Sequence, residues 1–309
     1  VTDGDVLRTH FLQSEAWGRF QESLGRTVVR ASGDGWRALA ILEKGRINSR
    51  LYAPYGPVIE DAAALAPAIA ELTALARQHG ATFLRLEPIG EVSREALAAQ
   101  GLRPVNHVQP DLTWRIDLTT GQEAVLAGTT KTIRNLYRNF EKKGLSIRRS
   151  TDPADIEVLV SLIASVGERK GIRPHPASYF RAQARELMPD GSAVLYFAES
   201  GGAPVAASFV YDDEVRRYYA HAGADEAFRS VHPGNVLVTR MILDAIADGK
   251  REFDFYGVSP ADEPDHAWAG FSRFKRSFGG FDYAFAGTWE LPVNTLGYAV
   301  YRALRRVTD

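Results

Sequence analysis

At 309 residues the chain is long enough for two domains of ordinary size, each able to bury its own core. Hydrophobic residues at 45% and charged residues at 24% exclude a disordered or fibrous chain, and a net charge of -1 means that nucleic acid would have to be held by a local basic patch. With no cysteine, disulfides, thiolate metal sites and covalent thioester chemistry are excluded and a cytoplasmic setting is expected. No apolar run is long enough to span a bilayer, and Asp3, Asp5 and Arg8 stand where a secretory signal would be apolar.

In chain order, 27–31 and 37–42 alternate as strands around Ser32, Gly33, Asp34 and Gly35, a turn of residues that tolerate positive φ. A third strand at 50–53 runs into the corner Pro54-Tyr-Gly-Pro57. Leu65, Ile69, Leu72 and Ala76 then recur at helical spacing, and 83–87 closes the unit as a strand.

The most charged element follows, predicted as a helix over 122–144. It carries Lys131, Arg134, Arg138 and Lys142 along one face, with Lys143 adjacent and Glu141 opposing. A solvated face and a contact for a phosphate-rich partner such as RNA both fit this stripe.

The opening order then returns. Strands at 193–198 and 204–210 flank a turn at 200–202, so that Ser32 and Gly33 map onto Ser200 and Gly201. A strand at 215–221 leads to Pro233 and Gly234, which open a helix carrying Val238, Ile242 and Ala245, and 252–256 closes the second unit. A duplicated unit predicts two lobes with function in the cleft between them. The corner from a strand into a helix N-terminus suits anionic or carbonyl groups. The second corner, 228–235, has a single glycine and a proline, which serve a pyrophosphate poorly and disfavour acyl-CoA.

The seven histidines, among them His175, His221 and His232, show no metal-ligand spacing, and no Gly-x-Ser-x-Gly elbow is present, so neither a metal site nor a serine hydrolase is expected. The densest polar and aromatic cluster is 268–280. Phe271, Phe274 and Phe278 are expected to anchor one helix face, leaving Arg273, Lys275 and Arg276 off the stripe. Lys275 then reads either as a group stabilising a developing oxyanion or as a surface cation.

These segments together resemble the Fem-type nonribosomal peptidyltransferases, the FemABX family, which move an amino acid from aminoacyl-tRNA to the stem peptide of a peptidoglycan precursor. The resemblance spans nearly the whole chain. It rests on 11–17 with Trp17, 52–57 with Tyr55, 108–118 with Asp111, 131–135, 142–145, 168–171, Tyr179 and Phe180, Tyr218 and Tyr219, 253–257 and 274–280, in that order.

The resemblance implies an α/β (α+β) fold of two acetyltransferase-like (GNAT-like) domains in tandem, without the coiled-coil arm that some relatives carry. The first domain would cover 1–146, face the muramyl peptide and end in the basic helix 122–143. The second, 147–309, would hold the catalytic lysine and the aminoacyl-tRNA. No cofactor and no metal are implied, and a monomer is expected.

On the same resemblance Lys275 matches the family's transition-state lysine, positioned by Phe274, and Asp111 matches a carboxylate considered as the base. Tyr179 and Tyr219 match substrate-contacting tyrosines, with Trp17 and Tyr55 in the same set. His175 stands where relatives have a cation, with Arg173 close by. Gln21 replaces a phosphate-binding lysine, so Arg19 or Arg173 would have to compensate. Lys131, Arg134, Arg138 and Lys142 become the tRNA contact.

The implied acceptor is lipid-linked or nucleotide-linked (lipid II or UDP-MurNAc-pentapeptide). Its lysine-type amine has a solution pKa of about 10.4 and must lose its proton to react. Two other readings stay open: an acyl-CoA N-acyltransferase or Fem-like ligase acting on a small natural product, and a noncatalytic RNA-binding module. The stretch 296–307 is amphipathic with Arg302, Arg305 and Arg306 on its polar side, which fits either core packing or a peripheral contact with anionic lipid at the inner face of the membrane.

Overall fold

The computed structural model describes residues 9–45 and 48–308, with side chains as far as Leu304. Asp3, Asp5 and Arg8, and the side chains of Arg305 and Arg306, lie outside the described residues. The chain forms two compact units, one made of the residues up to Asp111 and again from Ala284, the other of Leu112–Tyr283.

The first unit opens with α1 (Glu15–Ser23), whose N-cap Ser14 accepts the Trp17 N–H at 3.1 Å. The hairpin β1 (Thr27–Gly33) and β2 (Trp36–Lys44) turns through Gly35 at φ 71°. β3 (Ser49–Ala53) pairs antiparallel with β2, and the short β4 (Val58–Ile59) pairs with the start of β2. α2 (Leu65–Gln78) buries Leu65, Ile69, Leu72 and Ala76 against the sheet. β5 (Phe83–Leu86) returns parallel to β3, and β6 (Ile89–Gly90), α3 (Arg94–Ala99) and β7 (Arg103–Val105) follow.

The second unit begins with β8 (Leu112–Asp117), then α4 (Gly121–Gly128), α5 (Lys131–Arg138), β9 (Leu145–Ser150), α6 (Ile156–Lys170) and α7 (Ala177–Leu187). The repeat is then built again. β10 (Ala193–Ser200) and β11 (Ala203–Asp212) are antiparallel, β12 (Arg216–Ala224) is antiparallel to β11, α8 (Pro233–Ala247) crosses over, and β13 (Glu252–Gly257) returns parallel to β12. α9 (Ala269–Arg276) and β14 (Phe281–Ala284) complete it, with a core around Val236, Ile242, Phe253 and Phe278.

The chain then re-enters the first unit. β15 (Thr288–Pro292) lies between β5 and β7, with Trp289 opposite both Leu86 and Pro104, and α10 (Thr295–Thr308) follows. The compact units therefore do not follow a division at 146. β8 pairs with β13 through Ile116 and Phe253, and Ile133 and Leu136 of α5 join the second unit's core, so 112–146 packs with the later strands.

The helix expected over 122–144 is also two helices. Thr130 is extended at ψ 154°, caps the Ile133 N–H and breaks the run, and Lys142 falls in a separate 3-10 turn, Glu141–Lys143. The continuous basic stripe is thereby interrupted.

Candidate functional site

β12 and β13 are paired only as far as Tyr218 and Asp254. Beyond that point β13 bends. Asp254 Oδ1 accepts the Tyr256 N–H at 2.7 Å, and Tyr256 takes a left-handed φ of 59°, an expensive conformation for a bulky aromatic residue. This turn aims the Gly257 carbonyl at Lys275, whose Nζ donates to it at 2.6 Å.

Lys275 is only 7% exposed, with its ammonium 4.7 Å from the centre of the Phe271 ring. Burial disfavours the charged amine and draws its pKa down to about 8, against the opposing pull of Asp254. A surface cation is therefore ruled out. The expected aromatic anchor is also redistributed: Phe271 is exposed and covers the lysine, Phe278 lies beyond the helix in the core, and Phe274 packs on Phe278 at 5.2 Å. The ring over the ammonium is that of Phe271.

Asp254 is itself held from behind. Arg115 Nε donates to its Oδ2 at 2.9 Å while the guanidinium stacks 3.6 Å from the Tyr283 ring, and Arg216 pairs with Glu252 in the same buried layer.

A second group lies on α7 and the strands beside it. His175 stacks on Tyr179 at 4.3 Å and lies edge-on to His221 at 6.4 Å. Gln183 Nε2 donates to the Tyr211 hydroxyl, which also lies 2.9 Å from His221 Nε2 in hydrogen-bonding contact. Burial, with His175 adding to it, lowers the His221 pKa to about 3, so the imidazole is neutral at physiological pH. Tyr179 also acts electrostatically on both Tyr211 and Tyr256, which links this group to the bend in β13. Arg173 is exposed on the loop before α7.

His221, Tyr211, Gln183 and Asp254 were not singled out by sequence. The register shift between Phe209 and Val210 breaks the strand alternation that would have aligned His221 with Tyr211.

Tyr219 lines a cavity of about 290 Å³ with Lys170, Arg229, His232 and Asn235 at the corner before α8. Pro233 has no N–H there, and those of Asn235 and Val236 already donate to His232 O at 3.1 and 3.4 Å. Glu226 is paired with Arg169 and Arg229. Few free amides and a carboxylate on the wall fit a pyrophosphate poorly, in keeping with the composition of the corner.

In the first unit the expected site residues are largely committed to the fold. Tyr55 is fully buried, stacks on His10 at 3.8 Å and donates its hydroxyl to Pro110 O at 2.8 Å, so it holds the loop before Asp111 and does not face a ligand. Glu87 reinforces that loop by accepting the Gln109 N–H at 2.9 Å. Asp111 itself is exposed, 3.9 Å from His107 Nδ1. Trp17 packs on Phe20, and Gln21 is fully buried with its Oε1 on Arg26 at 2.6 Å, so neither presents a surface for phosphate. Arg19 is exposed on the same helix.

Of the basic residues, Lys131, Arg138 and Lys142 are exposed. Arg134 differs. Its guanidinium donates to the carbonyls of Leu126, Ala127 and Thr129 and caps the C-terminal end of α4.

A twice-built unit of antiparallel hairpin, crossover helix and parallel closing strand, with strands diverging beside a buried lysine, defines a tandem acetyltransferase-like protein. Residues 127–276 match the family model for an acetyltransferase (GNAT) domain. The crystal structure of FemX superposes with a TM-score of 0.85 at 16% identity, covering 95% of this chain and 94% of that one. A tandem GNAT protein from the clavulanic acid biosynthesis pathway superposes at 0.56 with 14% identity, covering 94% and 93%. Aminoacyltransferase FemA of Staphylococcus aureus (strain MW2) is 30% identical over 106 residues, 34% of this chain and 25% of FemA, so the match spans about a quarter of that relative. The chain is thus similar to FemX in fold and to FemA over about a third of its own length.

Proposed function

We propose that the chain is an aminoacyltransferase that moves an amino acid from aminoacyl-tRNA to a stem-peptide amine of a peptidoglycan precursor. The observation that carries this reading is Lys275, a buried cation beside a bent strand in a chain similar to FemA and FemX.

In the reaction the uncharged amine attacks the carbonyl carbon of the ester. A C–N bond forms, the C–O bond to the tRNA ribose breaks, and the amine proton ends on the ribose oxygen. The ester is already activated, so the protein chiefly positions the reactants and stabilises charge. Lys275, poorly solvated and charged below pH about 8, stabilises the tetrahedral oxyanion or the departing ribose oxygen. Tyr179, with His175 stacked on it, contacts the acceptor, and Asp111 is the carboxylate proposed to take the amine proton. Lys131, Arg138 and Lys142 contact tRNA phosphates. The reaction is cytoplasmic on this reading, since charged tRNA is.

The test is transfer of labelled amino acid from charged tRNA to a UDP-linked or lipid-linked muramyl pentapeptide. Product that requires tRNA and is abolished by RNase supports the reading. Product formed from acyl-CoA without tRNA overturns it in favour of the acyl-CoA reading, and tRNA binding without transfer overturns it in favour of an RNA-binding module.

A further inference from the structure

α10 presents two different faces. Tyr298 and Tyr301 pack on Phe83 at 5.4 and 4.7 Å, and Tyr298 donates its hydroxyl to Glu290 at 2.8 Å, which fixes the helix on the first unit. Leu296, Val300 and Leu304, at i, i+4 and i+8, are 76%, 49% and 46% exposed. One row of large aliphatic side chains is thus held in water by a well-anchored helix, an arrangement that favours a partner with an apolar interior.

On another side of the same helix, and lined by none of this row, is a cavity of about 280 Å³ bordered by Arg103, Pro104, Pro292, Thr295, Tyr298 and Arg302. Two arginines from different elements therefore border one small polar opening. The nearby Glu290 carboxylate is fully buried and neutralised by Arg85, so it does not oppose an anion there. No acidic residue occurs between Val293 and Thr308, whereas Arg302, Arg305 and Arg306 do. Among the described residues no helix is long and apolar enough to cross a membrane.

We propose that α10 docks the protein on an anionic phospholipid bilayer, with Leu296 and Val300 entering the acyl boundary and Arg103 and Arg302 holding a headgroup phosphate. Aliphatic side chains supply the depth and the arginines the preference for charge, which is the division of labour of an interfacial helix.

The full chain is sedimented with vesicles of phosphatidylcholine alone and of equimolar phosphatidylcholine and phosphatidylglycerol. Binding is expected to the anionic vesicles only and to fall with salt. Arg103→Gln and Arg302→Gln should each weaken it about fivefold, the worth of one surface arginine near an anionic membrane. The double variant Leu296→Ser/Val300→Ser should weaken it more than about tenfold. All four positions lie on exposed surface or a cavity wall, and an unchanged thermal midpoint checks that the fold is kept.

Equal binding to both vesicle types, no binding to either, or wild-type binding by the variants overturns the proposal. So does a dimer in light scattering that the Leu296→Ser/Val300→Ser change dissociates, because the row would then be a contact between copies.

Discussion

Lys275 donates to the carbonyl oxygen of Gly257 at 2.6 Å from a position where water scarcely reaches it. The hydrogen bond orients the ammonium, and on the proposed function its poorly solvated charge would stabilise the oxyanion of the transfer. Lys275→Ala is expected to lower the transfer rate by about two to three orders of magnitude, the usual loss when a preorganised oxyanion donor is removed. Retention of the far-UV circular dichroism spectrum together with unchanged turnover would end that role.

The same residue costs stability. Its pKa is about 8 when folded against the ordinary 10.5, so between these values the unfolded chain binds more protons and stability rises with pH. Below pH 8 the cost is present in full. Lys275→Met is therefore expected to stabilise the protein at neutral pH by about 1–3 kcal/mol while remaining inactive. Urea unfolding at pH 7 and pH 10.5 measures both the gain and its disappearance.

Asp254 opposes the downward shift at Lys275, accepts the Tyr256 N–H and pairs with Arg115. It positions the lysine through the Gly257 carbonyl. Asp254→Asn should reduce kcat more than KM and move the alkaline limb of the rate profile to lower pH, because the lysine loses a stabilising charge. A purely structural role would lower the thermal midpoint and leave that limb in place.

His221 is kept neutral down to pH about 3, whereas an unfolded histidine protonates near 6.5. Between these values the unfolded state binds the extra proton, so stability falls as pH falls. His221→Gln should flatten the stability profile between pH 6.5 and 4, as measured by thermal denaturation. An unaltered slope would show that the imidazole titrates normally.

The basic helix separates into two roles. Arg134→Ala removes a helix cap and should cost about 1 kcal/mol of stability. Lys131→Ala, Arg138→Ala and Lys142→Ala should leave stability unchanged and weaken tRNA binding, each lowering the salt dependence by about one counterion. Filter binding across a salt series distinguishes the two behaviours.

What sequence made legible was local. Hairpins around Gly35 and Gly201, helix faces such as Leu65 to Ala76, and the closing strand of each unit all follow from short-range patterns, and the doubled order follows from reading them twice. The order of motifs also led to Lys275. Its burial was not legible, because helical spacing gives equal standing to Phe271, which is exposed, and Phe278, which lies past the helix end. Tyr55 and Gln21 carry ligand-binding chemistry in their side chains, but only the folded chain shows those groups already used by Pro110 and Arg26. The pairing of Trp289 with Leu86 joins residues about 200 positions apart and leaves no periodic trace.

The placement of β15 bears on synthesis at the ribosome. The strands of Leu112–Tyr283 can pair as soon as they emerge, whereas β5 keeps an open edge and β7 has no neighbour in its sheet until Thr288–Pro292 is delivered. The later-made unit is therefore finished first. The earlier one waits with an open strand edge until β15 arrives, the stage at which edge-to-edge aggregation is most favoured.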